Sequence, residues 1–338
     1  MKPITAANSW PSTSRTPLHH HAPYPASGAE RDRWIVERRP AHNQLDASTP
    51  YAFFVEQERA DNGEMVPVAT VFLTNRECPW KCVFCDLWKN TVTDTVPSGA
   101  IPQQIDYALS RLGPAQQVKL YNSGSFFDSR AIPTADHPAI AKRVAAFERV
   151  IVECHPNLVD ERVLAFRDLV PGKLEIAMGL ETIHPAALEK LNKRMTVEQF
   201  ARAAEFLRRH EIALRVFILV QPPFVPVEEA GVWTARSIDL AFQCGARICS
   251  VIPTRSGNGA LDELSGIGQF REPTIDALER AVEYGVRLQQ GRVFADLWDL
   301  QRFASCPDCF PARLERLRAI NDTQCVPERV RCDGCGTR

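Results

Sequence analysis

Six apolar, β-branched segments alternate with helix-like stretches along this 338-residue chain, and that alternation is what most restricts its fold. The segments are 66–74 (VPVATVFLT), 116–122 (QQVKLYN), 148–154 (ERVIVEC), 173–180 (KLEIAMGL), 212–220 (IALRVFILV) and 246–253 (ARICSVIP). Helix-like runs such as DERVLAFRDL, TVEQFARAAEFLRRH and EEAGVWTARSIDLAFQC lie between them. Strands separated by helices build βαβ units and a parallel sheet. Six such units predict an α/β fold, a partial (β/α)6 TIM-like barrel over residues 30–295. In barrels of this kind the chemistry gathers at the C-terminal ends of the strands. No G-x-G-x-x-G follows a strand and no G-x-x-x-x-G-K-[ST] occurs, so dinucleotide and P-loop readings have no support.

The first segment runs into TNRECPWKCVFCDLW, which spaces Cys78, Cys82 and Cys85 as C-x3-C-x2-C on a loop. Three thiolates can hold three irons of a cubane iron–sulfur cluster, whereas full ligation takes four. The remaining iron is then open to a small molecule, as the open position of a catalytic metal is. A zinc site would need a second C-x2-C knuckle nearby, and a thioredoxin-like site would have no use for Cys78. Packing alone does not explain three cysteines in eight residues of loop. An aromatic, Phe84, stands just before the third cysteine.

The other strand ends carry polar and small residues. Asn122, Ser123, Gly124 and Ser125 follow the second segment, and small residues let the backbone approach a ligand closely. The third ends in Glu153, whose carboxylate can accept hydrogen bonds from an ammonium group. Cys154 reads as a small buried hydrophobe, and His155 as either a proton donor or a plain loop residue. The fourth runs into Glu181, placed to accept from ribose hydroxyls. Lys193 or Arg194 can pair with a ligand carboxylate, or either can neutralise a solvated helix face. Within the fifth, Arg215 would be costly to bury without a partner, which Glu181 or a ligand could supply. Gln221 offers an amide at the end of that strand, and Pro222 and Pro223 stiffen its exit.

Together the cluster loop, YNSGSFFD, VECHPNLV, MGLETIHPAALEKLNKRMT and VFILVQPPFVPVEEA resemble the radical S-adenosylmethionine (SAM) superfamily. Within it they resemble the archaeosine synthase radical SAM subunit family, which is itself similar to the SAM domain of the Elongator catalytic subunit. The resemblance covers about residues 30–260. It implies a [4Fe-4S] cluster on Cys78, Cys82 and Cys85 that cleaves SAM reductively to a 5′-deoxyadenosyl radical. It further implies SAM contacts from Phe84, Asn122, Ser123, Gly124, Ser125, Glu153, Glu181, Arg194, Arg215 and Gln221. An electron donor such as flavodoxin or ferredoxin is implied, as is a deazaguanine-type nucleoside in tRNA whose C–N bond is broken. Where relatives tend to show an ESRP-like string, the chain has Glu153-Cys154-His155-Pro156, and it has no recognisable tRNA-binding appendage. A small metabolite or peptide substrate, or a non-catalytic metal scaffold, therefore stays open.

A second cysteine group, Cys306-x2-Cys309 and Cys332-x2-Cys335, defines an expected metal-binding module over 296–338. Paired knuckles suit zinc, with Cys325 spare; an auxiliary iron–sulfur cluster is the alternative. Eleven cysteines with no export signal point to a reducing, cytoplasmic setting. No apolar run approaches the length of a membrane span. A net charge of −1 gives no general attraction to nucleic acid. Residues 1–29, rich in Pro, Ser and His and including His19, His20 and His21, are expected to be a disordered tail.

Overall fold

Among the described residues, eight strands lie side by side in one sheet, in the order of the chain. They are β1 (Ala52–Arg59), β2 (Met65–Phe72), β3 (Gln117–Tyr121), β4 (Arg149–Glu153), β5 (Lys173–Glu181), β6 (Ala213–Val220), β7 (Ile248–Pro253) and β8 (Arg292–Ala295). β2 to β8 run parallel, and β1 pairs antiparallel with β2. The six expected strands are β2 to β7. The two edge strands escaped the sequence because β1 is half-buried and mixes polar with apolar residues, while β8 has only four residues. The computed structural model describes residues 23–335; most of the expected N-terminal tail, with its three histidines, lies outside the described residues. From Tyr24 onward the chain is packed: the Tyr24 hydroxyl donates to the Lys190 carbonyl at 2.7 Å.

Helices α1 (Gly28–Glu37), α2 (Ala100–Leu109), α3 (His137–Arg143), α4 (Glu161–Leu169), α5 (Pro185–Lys190), α6 (Val197–Arg209), α7 (Val227–Gln243), α8 (Ala260–Gly266), α9 (Ile275–Arg287) and α10 (Phe310–Thr323) complete the α/β half-barrel. Their starts are written locally. Asp160 caps α4, Thr274 caps α9, and Thr196 with Gln199 forms a capping box on α6. Among the described residues, no helix is long and apolar enough to cross a membrane.

Side chains of a strand alternate between faces, and here the two faces differ in chemistry. Leu174, Ile176, Met178 and Leu180 of β5 join the main apolar core under the helices. The intervening Glu175, Ala177, Gly179 and Glu181 take the opposite, barrel-interior face. At the N-terminal end of the barrel that interior is ionic. Lys119 Nζ meets Glu56 at 2.8 Å and Glu58 at 2.6 Å, and Arg215 meets Glu58 at 2.6 Å and Glu175 at 2.8 Å. Arg149 meets Asp61 at 2.6 Å and Glu175 at 3.2 Å. Above this layer Tyr121 meets Phe72 on one side and Phe217 on the other edge to face, and these aromatic rings form the floor of the mouth.

The free edge of β8 is covered by side chains. Gln324 accepts from Val293 N at 2.7 Å and donates to Val293 O at 3.0 Å. Asn321 does the same for Ala295, at 2.8 and 2.9 Å. Two primary amides at the end of α10 thus stand in for a ninth strand and satisfy an edge that would otherwise be open to pairing.

Candidate active site

Three strand-end residues adopt a left-handed backbone: Ser123 after β3 (φ 53°), Glu181 ending β5 (φ 65°) and Gln221 after β6 (φ 55°). For residues with a Cβ this conformation is costly, and such outliers concentrate at functional sites. All three lie on the same rim of the barrel. The β5–β6 register also shifts between Gly179 and Glu181, an irregularity that re-aims the end of β5.

The cysteine loop is held over this rim from several strands. Trp80 stacks on His155 at 3.7 Å with the rings 9° from parallel. Asn192 donates to Lys81 O at 2.8 Å, and Val83 N donates to Leu191 O at 3.0 Å. Asn258, beyond β7, donates to Val83 O at 2.8 Å and Cys85 O at 3.2 Å. The Gln104 amide pairs with both backbone groups of Thr74, at 2.8 and 2.7 Å. Val83 and Phe84 enter a second apolar cluster with Trp34, Ile35, Leu191 and Leu264, so Phe84 also anchors the loop. Burial pushes the Cys78 thiol up to about 11 and Cys85 to about 12. Metal binding at such thiols would release their protons.

Gly124 lies directly under Cys78, where an added Cβ would come within 3.3 Å of the cysteine Cβ. Beside it, Asn122 is fully buried, yet neither its amide nitrogen nor its carbonyl oxygen has a hydrogen-bond partner among the described residues. Thr74 Oγ1 and Asn75 Oδ1 are unpartnered in the same way. Buried polar atoms are nearly always paired, so this group beside the cysteine loop fits a polar ligand that would complete it. Glu153 accepts from Asn122 N at 2.7 Å. Burial pushes its carboxyl up to about 7, against the pull of the N–H groups of Asn122, Ser123 and Gly124. Ser123 Oγ lies 3.0 Å from the Tyr51 hydroxyl, and Ser125 Oγ accepts from His155 N at 3.2 Å.

Across the rim, Glu181 and Lys193 form a buried pair at 2.6 Å. Burial alone would lower the Lys193 ammonium, but the Glu181 carboxylate outweighs it and holds it above its ordinary range. Gly179 makes the pair possible: any Cβ there would collide with Glu181 Oε1 and Lys193 Nζ. Gln221 donates to Val225 O at 3.2 Å and borders a cavity of about 580 Å³ with Lys190, Phe224, Val225 and Phe270.

Three sequence candidates sit differently from expectation. Arg215 pairs with Glu58 and Glu175 rather than Glu181, because it lies near the N-terminal end of β6. It is six residues below Gln221, roughly 20 Å down the strand at about 3.3 Å per residue. Arg194 turns outward to Asp32 of α1, leaving Lys193 as the cation at the rim. Left-handed backbone at Asn192 and Arg194 sends these neighbouring side chains apart. His155 has both ring nitrogens occupied: Nδ1 accepts from Asn157 N at 3.2 Å, and Nε2 lies 3.0 Å from Lys193 O. Burial and the nearby Lys193 push it down to about 3, so it is a neutral clamp on Trp80. Tyr51, Thr74, Asn75, Trp80, Gly179, Asn192 and Asn258 carry no distance signal in the sequence and emerge only from the structure.

Among the described residues, the ligand atoms of Cys306, Cys309, Cys332 and Cys335 all lie within 4.8 Å of one another. Cys325 is exposed and outside this group.

No protein-family model matches the chain. An uncharacterised protein of Methanocaldococcus jannaschii is 25% identical over 261 residues, 72% of this chain and 70% of that one. Archaeosine synthase subunit beta of Methanosarcina acetivorans is 27% identical over 226 residues, 63% of this chain and 65% of its own length. Among solved structures, the archaeal Elp3 of Methanocaldococcus infernus superposes with a TM-score of 0.49 at 13% identity, over 69% of this chain and 60% of that one. The chain thus sets a C-x3-C-x2-C loop over the mouth of a parallel half-barrel and is similar in sequence to these curated proteins. It is a homologue of the proteins named archaeosine synthase subunit beta.

Proposed function

We propose that this protein is a radical SAM enzyme whose cluster is held by Cys78, Cys82 and Cys85 and whose substrate is a deazaguanine-type nucleoside in tRNA, cleaved at a C–N bond. The observation that carries the SAM site is Asn122, wholly buried beside the cysteine loop with both amide atoms unpartnered. When bound, the [4Fe-4S] cluster and SAM supply a reducing electron and a 5′-deoxyadenosyl radical able to abstract hydrogen. The chain's own residues bind, orient and shield. The Asn122 amide and the Glu153 carboxylate offer an acceptor and donor set for the amino-acid end of SAM. The Lys193 ammonium offers a counter-charge for a carboxylate, and Glu181 acceptors for hydroxyls. The Phe72, Tyr121 and Phe217 floor separates the mouth from the ionic layer below it. The cavity beside Gln221 is of a size that holds small ligands.

The substrate reading is supported by the name of the Methanosarcina homologue. A flavodoxin or ferredoxin of the cytoplasm would supply the electron. Anaerobic reconstitution with iron and sulfide, followed by SAM and dithionite, should yield 5′-deoxyadenosine, and Cys82→Ala should abolish it. A fully iron-loaded protein that forms none overturns the enzymatic reading. Failure to bind tRNA even at low salt, where phosphate contacts are strongest, overturns the substrate.

A further inference from the structure

We infer that Cys306, Cys309, Cys332 and Cys335 form a closed site for one zinc ion, and that this ion latches α10 across the free edge of β8. The sulfurs of Cys306 and Cys332 are 3.9 Å apart, and those of Cys309 and Cys335 are 3.8 Å apart. Thiolates about 2.3 Å from a tetrahedral zinc stand about 3.8 Å from one another. A cubane cluster puts each thiolate on its own iron and so spreads the sulfurs wider. A disulfide would bring a pair to about 2.0 Å. Four protein ligands leave no open position, which is the mark of a structural rather than a catalytic zinc.

The site joins the two ends of one hairpin. Cys306 and Cys309 lead into α10, with Cys309 at its N-cap, while Cys332 and Cys335 end the chain that returns alongside it. Arg316 of α10 holds this return, donating to the Pro327 and Glu328 carbonyls at 2.8 Å each. The hairpin has little apolar core of its own. Of the four buried residues of α10, two are Arg313 and Arg316, paired with Glu279 and Glu283 of α9 at 2.5 and 2.8 Å. A segment this poor in apolar burial needs a staple. The far end of the same helix carries Asn321 and Gln324, the amides that complete β8.

The test is metal analysis of the full-length protein purified from zinc- and iron-replete cells. The wild type and a Cys78→Ala, Cys82→Ala, Cys85→Ala triple variant should each hold about one zinc per chain. Cys309→Ser with Cys332→Ser should hold none, and the Val293 and Ala295 amides should then exchange at least about tenfold faster with deuterium. Should that variant not fold, cobalt substitution of the triple variant decides, a tetrahedral thiolate spectrum being expected. Zinc absent from the triple variant, or iron and sulfide bound there in its place, overturns the inference. Unchanged exchange in a folded, zinc-free protein overturns the latch. The triple variant lacks the three cysteines of the proposed SAM cluster, so neither result depends on that reading.

Discussion

Lys193 Nζ lies 2.6 Å from Glu181 Oε1, both side chains buried where β5 ends, and Gly179 is the residue that leaves them room. A buried pair is strongly coupled: losing one partner strands the other charge. Lys193→Met should therefore cost about 3–5 kcal/mol in urea denaturation, and adding Glu181→Gln should recover most of the loss. Gly179→Ala should cost about 1–3 kcal/mol by forcing the pair apart. A single Lys193→Met variant as stable as wild type would show that the pair is not formed in solution.

Asn122→Leu should separate stability from binding. The asparagine buries two unpartnered polar atoms, each costing about 1–3 kcal/mol to leave unsatisfied. An apolar residue of similar volume removes that cost, so the unliganded protein should be as stable or more so. SAM affinity of the reconstituted protein, read by calorimetry, should fall at least about tenfold, the loss of a charge-assisted or neutral hydrogen bond being worth roughly that much. Lower stability with unchanged affinity would make Asn122 a packing residue.

His155 gives a pH dependence with a definite sign. Its folded value is depressed from 6.5 to about 3, so the folded ring stays neutral while the unfolded one takes up a proton. The stabilisation is complete above pH 6.5 and is lost progressively as pH falls from there toward 3. Subtracting the stability of His155→Gln from that of wild type at each pH isolates this contribution. The difference should shrink toward acid by a few kcal/mol; a flat difference would mean the ring is solvated.

Arg215→Met should damage the fold and spare the ligand. Burial alone would raise Glu58, but Arg215 and Lys119 overcome it and hold the carboxyl well below the ordinary range. Removing Arg215 leaves buried Glu58 with Lys119 alone and buried Glu175 with Arg149 alone, and should cost about 3–5 kcal/mol. SAM affinity should stay within about twofold, since the arginine is some 20 Å along the strand from the rim. A large loss of affinity in a folded variant would return Arg215 to the ligand site.

The sequence by itself determined what is periodic or local. Alternating apolar runs specified β2 to β7, and the spacing of Cys78, Cys82 and Cys85 specified a loop after the first of them. Ser123, Glu181 and Gln221 were identifiable because a strand's end can be read from where its pattern stops. The tertiary structure alone decided the partners. Glu58 and Arg215 are 157 residues apart, and Trp80 reaches His155 from a different strand end. Only the turn through Asn192 and Arg194 selected Lys193 over its neighbour, and only the fold brought the four C-terminal sulfurs within reach of one ion. Periodicity says which face a side chain takes; charge pairing and orphaned polar atoms depend on what the rest of the chain brings opposite it.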